Sequence, residues 1–312
     1  MTASVTAAVE PGLTSVVIVT ADSGPIVHDS VARVLASNVP VDVVLVDNAS
    51  TDGTLERLRE RHADEPRLRM LRNAENLGFG RACNLGAGVA RGDALLFLNP
   101  DCLLAADTLA RLGEIAAAHP AAGLIGVCVE DADGRPERAS RRREPTLRRA
   151  VMTLSGLARF EARWPVLAGI DVASSSRVVG VEVVEAVSGA CLYLPRRAFE
   201  AVQGFDEDYF LHCEDLDLYR RLRDHGLEVL LAGDLRVRHE QGSSSRHRAS
   251  FVARHKHRGM WRYFTRFDPA ARHKMLRGLV WLGIWSHYYA LAPVRAWRAR
   301  EASSAARDAP PT

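Results

Sequence analysis

The chain is poor in the features that mark several protein classes. Its five cysteines (83, 102, 128, 191 and 213) are odd in number, widely spaced and include no CxxC pair. That argues against a zinc ribbon, a redox dithiol and a disulfide framework, and suits a reducing, cytoplasmic setting. No apolar run reaches the roughly 20 residues needed to span a bilayer. The first residues, MTASVTAAVEPGLT, lack a basic n-region and are interrupted by Glu10 and Pro11, so they do not read as a signal peptide. There is no internal repeat and no low-complexity tract. The phosphate-cradling loops are missing too: there is no GxxxxGK[ST], and no GxGxxG follows the first apolar run.

What is present is ordinary in bulk and uneven in distribution. The 312 residues are 47% apolar and 25% charged, as in a folded domain with an appendage. The net charge of +3 hides an asymmetry. Residues 236–300 carry +13, and residues 135–149, with seven arginines, carry +5, which leaves −15 for the rest. Basic segments attract polyanions, either nucleic acid or an anionic membrane surface. Nine of the 20 aromatics fall between Trp261 and Trp297, and Gly278–Val294 has no Asp, Glu, Lys or Arg. Aromatic and basic residues around an apolar stripe suit a helix lying in a lipid headgroup region, with a hairpin packed on the domain as the alternative. No nucleic-acid-binding motif accompanies the basic tail, so nucleic acid is not expected as a partner.

The first half alternates between short β-branched runs and segments of helical periodicity. Strands are expected at Ser15–Thr20, Val41–Val46, Arg67–Leu71, Ala94–Leu98 and Leu124–Val129. Helices are expected at Val27–Asn38, from Asp52-Gly53-Thr54 to Arg61, and at Phe79–Ala90 and Ala105–His119. Such alternation implies right-handed crossovers and a mainly parallel sheet, whose ligands sit outside the carboxyl ends of the strands. At those ends stand Thr20-Ala21-Asp22, then Asp47 to Gly53, then Asn73, Asn76, Gly78 and Gly80, then Asn99-Pro100-Asp101. Each alone could be a turn; four on one rim point to a cation, a sugar hydroxyl or a base N–H as ligand. With no phosphate loop, a metal ion is expected to handle any diphosphate.

In the second half, Val183–Leu194 reads as strand material broken at Ser188-Gly189. A helix follows from Pro195 to Val202, and another from about Glu214 to His225, closed by Gly226. On the latter, Asp215, Leu218, Tyr219 and Leu222 share a face, so Asp215 should point inward as a general-base candidate. Glu214 and Asp217 should lie nearer the polar side, with Asp217 able to pair with Arg220 or Arg221. After a strand at Glu228–Leu231, a second apparent strand, Leu235–His239, delivers His239 as a metal-ligand candidate.

The blocks VVLVDNASTDGT, NAENLGFGRACNLG, LLFLNPD and GFDEDYFLHCEDLDLYRRL, with VRHEQGSSS after them, resemble glycosyltransferase family 2 and its bacterial rhamnosyltransferase-like branch over residues 14–246. The resemblance implies a GT-A fold, a Rossmann-like α/β domain with flanking helices. It also implies inverting transfer from a nucleotide sugar, dTDP-rhamnose first and a UDP-sugar otherwise, to a cell-surface glycan or lipid-linked precursor. By motif, Asp47 would bind the donor base or ribose with Thr20 and Asp22. Asn76, Gly78 and Asn99 would line the nucleotide pocket. Asp101, with His239, would hold Mg²⁺ or Mn²⁺, and Asp215, paired with Glu214, would be the catalytic base. The Ser243–Ser245 loop would close over the donor. Two positions depart from the common pattern: Thr20-Ala21-Asp22 lacks an aromatic that could contact the base, and Asn99-Pro100-Asp101 offers one carboxylate where a DxD motif has two. The alternatives are a sugar nucleotidyltransferase, a nucleic-acid-binding module and a catalytically degenerate nucleotide-sugar-binding protein.

The implied organisation is a flexible N-terminus (1–13), the catalytic domain (14–246) with a basic variable segment (135–165), a helical basic and aromatic tail (247–300) and a disordered end (301–312). The variable segment, through Arg141–Arg143, is expected to face the acceptor or the membrane and to meet a lipid pyrophosphate. The tail is expected to hold the enzyme on the inner face of the cell membrane.

Overall fold

The computed structural model describes residues 8–137, 140–172, 178–240 and 249–294. The N-terminal residues 1–7, the Ser243–Ser245 loop, Arg295, Trp297 and the end at 301–312 lie outside the described residues.

In chain order the elements are β1 (Glu10–Thr20), α1 (Ile26–Leu35), β2 (Val41–Asp47), α2 (Thr54–Arg61), β3 (Leu68–Arg72), α3 (Phe79–Val89), β4 (Gly92–Leu98), β5 (Cys102–Leu103), α4 (Thr108–Ala118) and β6 (Ala122–Glu130). They continue with β7 (Arg141–Arg142), α5 (Leu147–Leu154), β8 (Val181–Val183), β9 (Ala186–Val187), β10 (Cys191–Pro195), α6 (Arg196–Ala201), α7 (Glu214–Asp224), β11 (Glu228–His239), α8 (Ala249–Phe267) and α9 (Lys274–Ala290). Nine strands form one sheet, in the order β3-β2-β1-β4-β10-β6-β11-β5 with β8 also on β11.

The sheet is buried on both faces because its strands alternate between two cores. Val16, Ile18, Val43, Leu45, Leu96 and Leu98 face α1, α2 and α4, while Val17, Val19, Val44, Val46, Leu95 and Phe97 face α3, α6 and α7. Small residues let α3 come close, as expected: a Cβ on Gly86 would lie 2.5 Å from Val17 Cγ1. The parallel order expected from β/α alternation holds for β3-β2-β1-β4. Between β4 and β6, however, β10 is inserted antiparallel, pairing Tyr193 with both Leu96 and Ile125. Two expected strands are also one: β11 runs unbroken from Glu228 to His239, with an irregularity between Ala232 and Arg236 that carries Gly233 and Asp234.

The variable segment is a folded layer held by its own arginines. Arg141 pairs with Glu182, Arg149 with Glu185, Arg143 with Glu161 at 2.9 Å, and Arg148 donates to the Val166 carbonyl. Glu144 ties the layer to α7 and α8, accepting from Arg220 at 2.7 Å, Arg223 at 2.8 Å and the Tyr263 hydroxyl at 2.9 Å. Most of the segment's charge is therefore spent within the protein, while Arg142 and Arg143 also line the cavity beside Asp215. α8 is anchored by Arg262 on Asp206 (2.9 Å) and Arg266 on Asp217 (2.9 Å), and buries Tyr263 and Phe264. α9 rests on α8 through a 3.0 Å contact between His257 Nε2 and His287 Nδ1, and none of its residues is buried.

Candidate active site

The carboxyl ends of β1 and β2 lie in register, Thr20 beside Asp47. Asp47 is fully buried and, among the described residues, accepts only from the Ser50 N–H, at 3.2 and 3.3 Å, with Arg72 Nε at 3.7 Å. Thr20 Oγ1 is buried without a partner. Buried polar atoms are normally satisfied, so an orphan beside an under-used carboxylate marks where a ligand's polar atoms fit. Asp22, at φ +53°, is part of the wall itself: its carboxylate accepts from the Thr51 N–H at 2.7 Å and hydroxyl at 3.2 Å.

Asn76 Oδ1 accepts from the Gly78 N–H at 3.0 Å, and the Gly78 carbonyl accepts from Asn48 Nδ2 at 3.1 Å. Gly78 adopts φ +87°, and a Cβ there would lie 2.5 Å from the Phe210 carbonyl oxygen, so only glycine lets these loops meet. That contact brings the loop through Asn76 and Gly78 against the segment leading into α7.

After β4, the Asn99 N–H donates to the Ala190 carbonyl at 2.9 Å, and Asp101 faces His239 across the β5–β11 pairing. His239 Nε2 is 3.1 Å from Asp101 Oδ1, and Nδ1 is 2.9 Å from Glu137 Oε1. Burial alone would lower the His239 pKa; the two carboxylates outweigh it and raise it to about 9. Asp101, Cys102 and His239 bring ligand atoms within 4.8 Å of one another. Cys102 is a poor member of the set, because burial raises its thiol pKa well above the usual range and its Sγ lies 3.5 Å from the Ala190 carbonyl. Asp101 and His239 remain as a carboxylate–imidazole pair, with Glu137 orienting the ring from behind, as carboxylates do for metal-bound histidines. The donor set fits a divalent ion that keeps several positions for other ligands.

α7 begins after two residues in the left-handed region, His212 (φ +67°) and Cys213 (φ +71°). Such backbone is costly for residues other than glycine and is concentrated at functional sites. It aims the first turn of α7 at a cavity of about 930 Å³ lined by Asp215, Asn99, Ser188, Gly189, Arg142 and His239, among others. Asp215 is 16% exposed and its Oδ2 is 3.2 Å from Arg142 Nη2. A Cβ on Gly189 would lie 3.2 Å from that same oxygen, so the break at Ser188-Gly189 makes room for the carboxylate. The inward expectation for Asp215 agrees with its position at the cavity wall. The outward expectation for its neighbours is corrected. Glu214 is 6% and Asp217 0% exposed: Glu214 lies against Gly80 of α3, and Asp217 is met by Arg266 of α8. Asp217 is compensated by Arg221 (2.5 Å) and Arg266. Glu214 Oε2 has no partner; burial, and secondarily the Asp215 charge, raise its pKa well above the carboxylate range, so it is held protonated near neutrality.

The sequence assigns no role to Glu137 or Lys256, and it singles out Arg142 only as one of Arg141–Arg143, the run expected to face the acceptor or the membrane. The run Arg141–Arg143 was visible, but strand alternation in β7 decides which arginine reaches the site: Arg141 turns to Glu182 and Arg142 to Asp215.

Residues 15–173 match the family model described as Glycosyl transferase family 2. The chain is 32% identical over 310 residues to an N-acetylglucosaminyl-diphospho-decaprenol L-rhamnosyltransferase of Mycobacterium tuberculosis, spanning 92% of this chain and 95% of that protein. Among solved structures it is similar to a mannosyltransferase of Pyrobaculum calidifontis in complex with GDP-Man and Mn²⁺ (TM-score 0.56, 20% identity, 96% of this chain and 76% of that one). It is also similar to TarS of S. aureus in complex with UDP-GlcNAc (TM-score 0.53, 16% identity, 88% and 80%). The structural likenesses concern the fold.

Proposed function

The chain belongs to glycosyl transferase family 2, in its rhamnosyltransferase-like branch, and from that premise we propose that it moves L-rhamnose from dTDP-rhamnose to a hydroxyl of a lipid-linked glycan precursor, with inversion. One observation carries the reading of the site: His239, paired with the Asp101 carboxylate, and a separate carboxylate, Asp215, line one cavity. The relative's acceptor, a diphospho-decaprenol, supports a lipid-linked substrate.

In this reading Asp47, Thr20 and Asp22 form the cradle for the base and ribose, and Asn76, Gly78 and Asn99 shape the nucleotide pocket. Asp101 and His239 hold a divalent cation, Mn²⁺ suiting the imidazole better than Mg²⁺; when bound, it neutralises charge on the leaving diphosphate. Asp215 takes the proton of the acceptor hydroxyl as its oxygen bonds to the anomeric carbon, and the bond from that carbon to the diphosphate breaks. Glu214, protonated, adds no second negative charge beside Asp215. The outer face of α9 exposes Met275, Leu282 and Tyr289, spaced by seven residues. We assign that face to the cytoplasmic surface of the membrane; among the described residues no helix is long and apolar enough to cross one.

Calorimetric titration with dTDP and UDP, each with and without Mn²⁺, tests the donor. Mn²⁺-dependent binding of dTDP, with turnover of dTDP-rhamnose, is the expected result. A preference for UDP would replace rhamnose by another sugar, and binding of neither would overturn the donor assignment.

A further inference from the structure

The cavity beside Asp215 is larger than one sugar needs, and its polarity is ordered. At one end are Asp215, Arg142 and Lys256. Arg142 reaches Asp215 and the Val187 carbonyl (3.1 Å), while its buried Nε–H has no acceptor. Lys256 has no carboxylate partner among the described residues. Arg143 lines the cavity too, but Glu161 and the Gly169 carbonyl occupy it. Lys256, without a carboxylate partner, and Arg142, whose one carboxylate partner is Asp215 itself, are thus placed to share a dianionic group next to the base.

The other end is apolar. On α9, Leu276, Leu279, Val280, Gly283, Ile284 and His287 line the cavity. Their spacing is that of a single helical face. Opposite them α5 contributes Leu147, Val151 and Leu154. A helix face of this kind normally buries itself in a core, yet no residue of α9 is buried. Its inner stripe borders space, in continuity with the catalytic carboxylate.

We propose that this cavity is a two-part acceptor slot: Arg142 and Lys256 bind the diphosphate of a lipid-linked acceptor whose sugar hydroxyl lies at Asp215, and the apolar walls from α5 and α9 enclose the adjoining part of its hydrocarbon chain. The inference rests on the lipid-linked reading above and deepens it, since the lipid is recognised by the protein and is not merely tolerated in the bilayer.

Two glycines on α9 provide the test. A side chain at either Gly283 or Gly278 meets nothing within 4 Å of its Cβ. Gly283 lines the cavity and Gly278 does not; they are about 140° apart around the helix. Gly283→Phe puts bulk into the slot from a Cβ position that is open, and Gly278→Phe adds the same bulk outside it. The full chain is assayed in detergent with two acceptors sharing an N-acetylglucosaminyl diphosphate head, one on decaprenol and one on a two-isoprene alcohol. Gly283→Phe is expected to raise KM for the decaprenyl acceptor about 10-fold or more, with the donor KM, the short-chain KM and the thermal midpoint unchanged. Gly278→Phe is expected to change none of them. An unchanged decaprenyl KM in Gly283→Phe, with wild-type turnover of both acceptors, would overturn the slot and leave the lipid-linked reading standing. Equal increases in the two variants would also overturn it, placing the chain outside α9. Transfer to neither acceptor, but to a glycan without diphosphate or lipid, would instead bring down the lipid-linked reading and the slot with it.

Discussion

Asp42 and Asp47 stand at opposite ends of β2, both fully buried, and their surroundings differ completely. Asp42, at the amino end, accepts from the Ser15 hydroxyl (2.7 Å), from Arg69 (2.7 and 2.8 Å), and from the Arg91 N–H (3.1 Å) and guanidinium (3.3 Å). Close by, Arg196 donates to the carbonyls of Gly92, Ala90 and Ala87. Asp47, at the carboxyl end, has one backbone N–H and a distant guanidinium, next to the orphaned Thr20 hydroxyl. Among the described residues the carboxylate at the amino end is saturated by the protein itself, although the buried Nε atoms of Arg69 and Arg91 have no partner; at the carboxyl end, Thr20, Asp47 and Glu214 keep unused acceptor capacity. Burial alone does not separate a structural carboxylate from a ligand-binding one; the count of internal partners does.

Substitutions can break this contrast. The largest effect is expected for Asp215→Asn, which removes the base while keeping the shape: kcat falls by about 10²–10⁴-fold, with the thermal midpoint and donor KM near wild type. Retained turnover would move the base elsewhere. Asp42→Asn should do the reverse, costing about 3 kcal/mol of stability by leaving Arg69 and Arg91 without their charge partner, with kinetic constants unchanged where the variant is folded. Its pH dependence sharpens the point. Burial raises the Asp42 pKa, but its hydrogen bonds, those from Arg69 and Ser15 foremost, outweigh that and leave it lowered. The stability it contributes is therefore full above its unfolded pKa and lost as pH falls through the lowered one, so Asp42→Asn should flatten the acid limb of the denaturation profile.

Next in size, Asp47→Asn should raise the donor KM about 10–100-fold by replacing a charged acceptor with a neutral one, with stability nearly unchanged; equal losses at Asp42 and Asp47 in chemical denaturation would erase the contrast. The smallest effect is expected for Glu214→Gln. Because the folded pKa of Glu214 is raised, the wild type loses stability as pH rises from the unfolded pKa toward the folded one. The glutamine variant should therefore gain on the order of 1 kcal/mol near pH 8 and nothing below pH 4.5, read from thermal midpoints across pH.

The first half was legible because its signals are local. β-Branched runs, helical spacing and the Asp, Asn and Gly residues after each strand report on consecutive residues, and they anticipated β1 to β4 and the residues at their carboxyl ends. The second half was less legible because its partners are distant in sequence. Arg142 meets Asp215 across 73 residues, and Glu144 meets Tyr263 across 119. The misjudged positions of Glu214 and Asp217 have the same origin. Helical spacing gives the face turned to the sheet, but two segments far off in the chain close the side that looked polar, α3 against Glu214 and Arg266 of α8 against Asp217.

By itself, the sequence determined the family, the order of the strands and helices through the first half, the carboxylates at their ends and the apolar, aromatic character of the last helix. Each follows from residue periodicity or from motifs whose spacing is short. Only the tertiary structure decided that β10 enters the sheet antiparallel, that Arg142 and not its neighbours reaches Asp215, that Asp101 and His239 converge, and that α9 borders a cavity. Those are decided by packing between segments far apart in the chain, where strand pairing, the fit of side chains such as Val17 over Gly86, and the pairing of buried charge choose one arrangement among the many that local pattern allows.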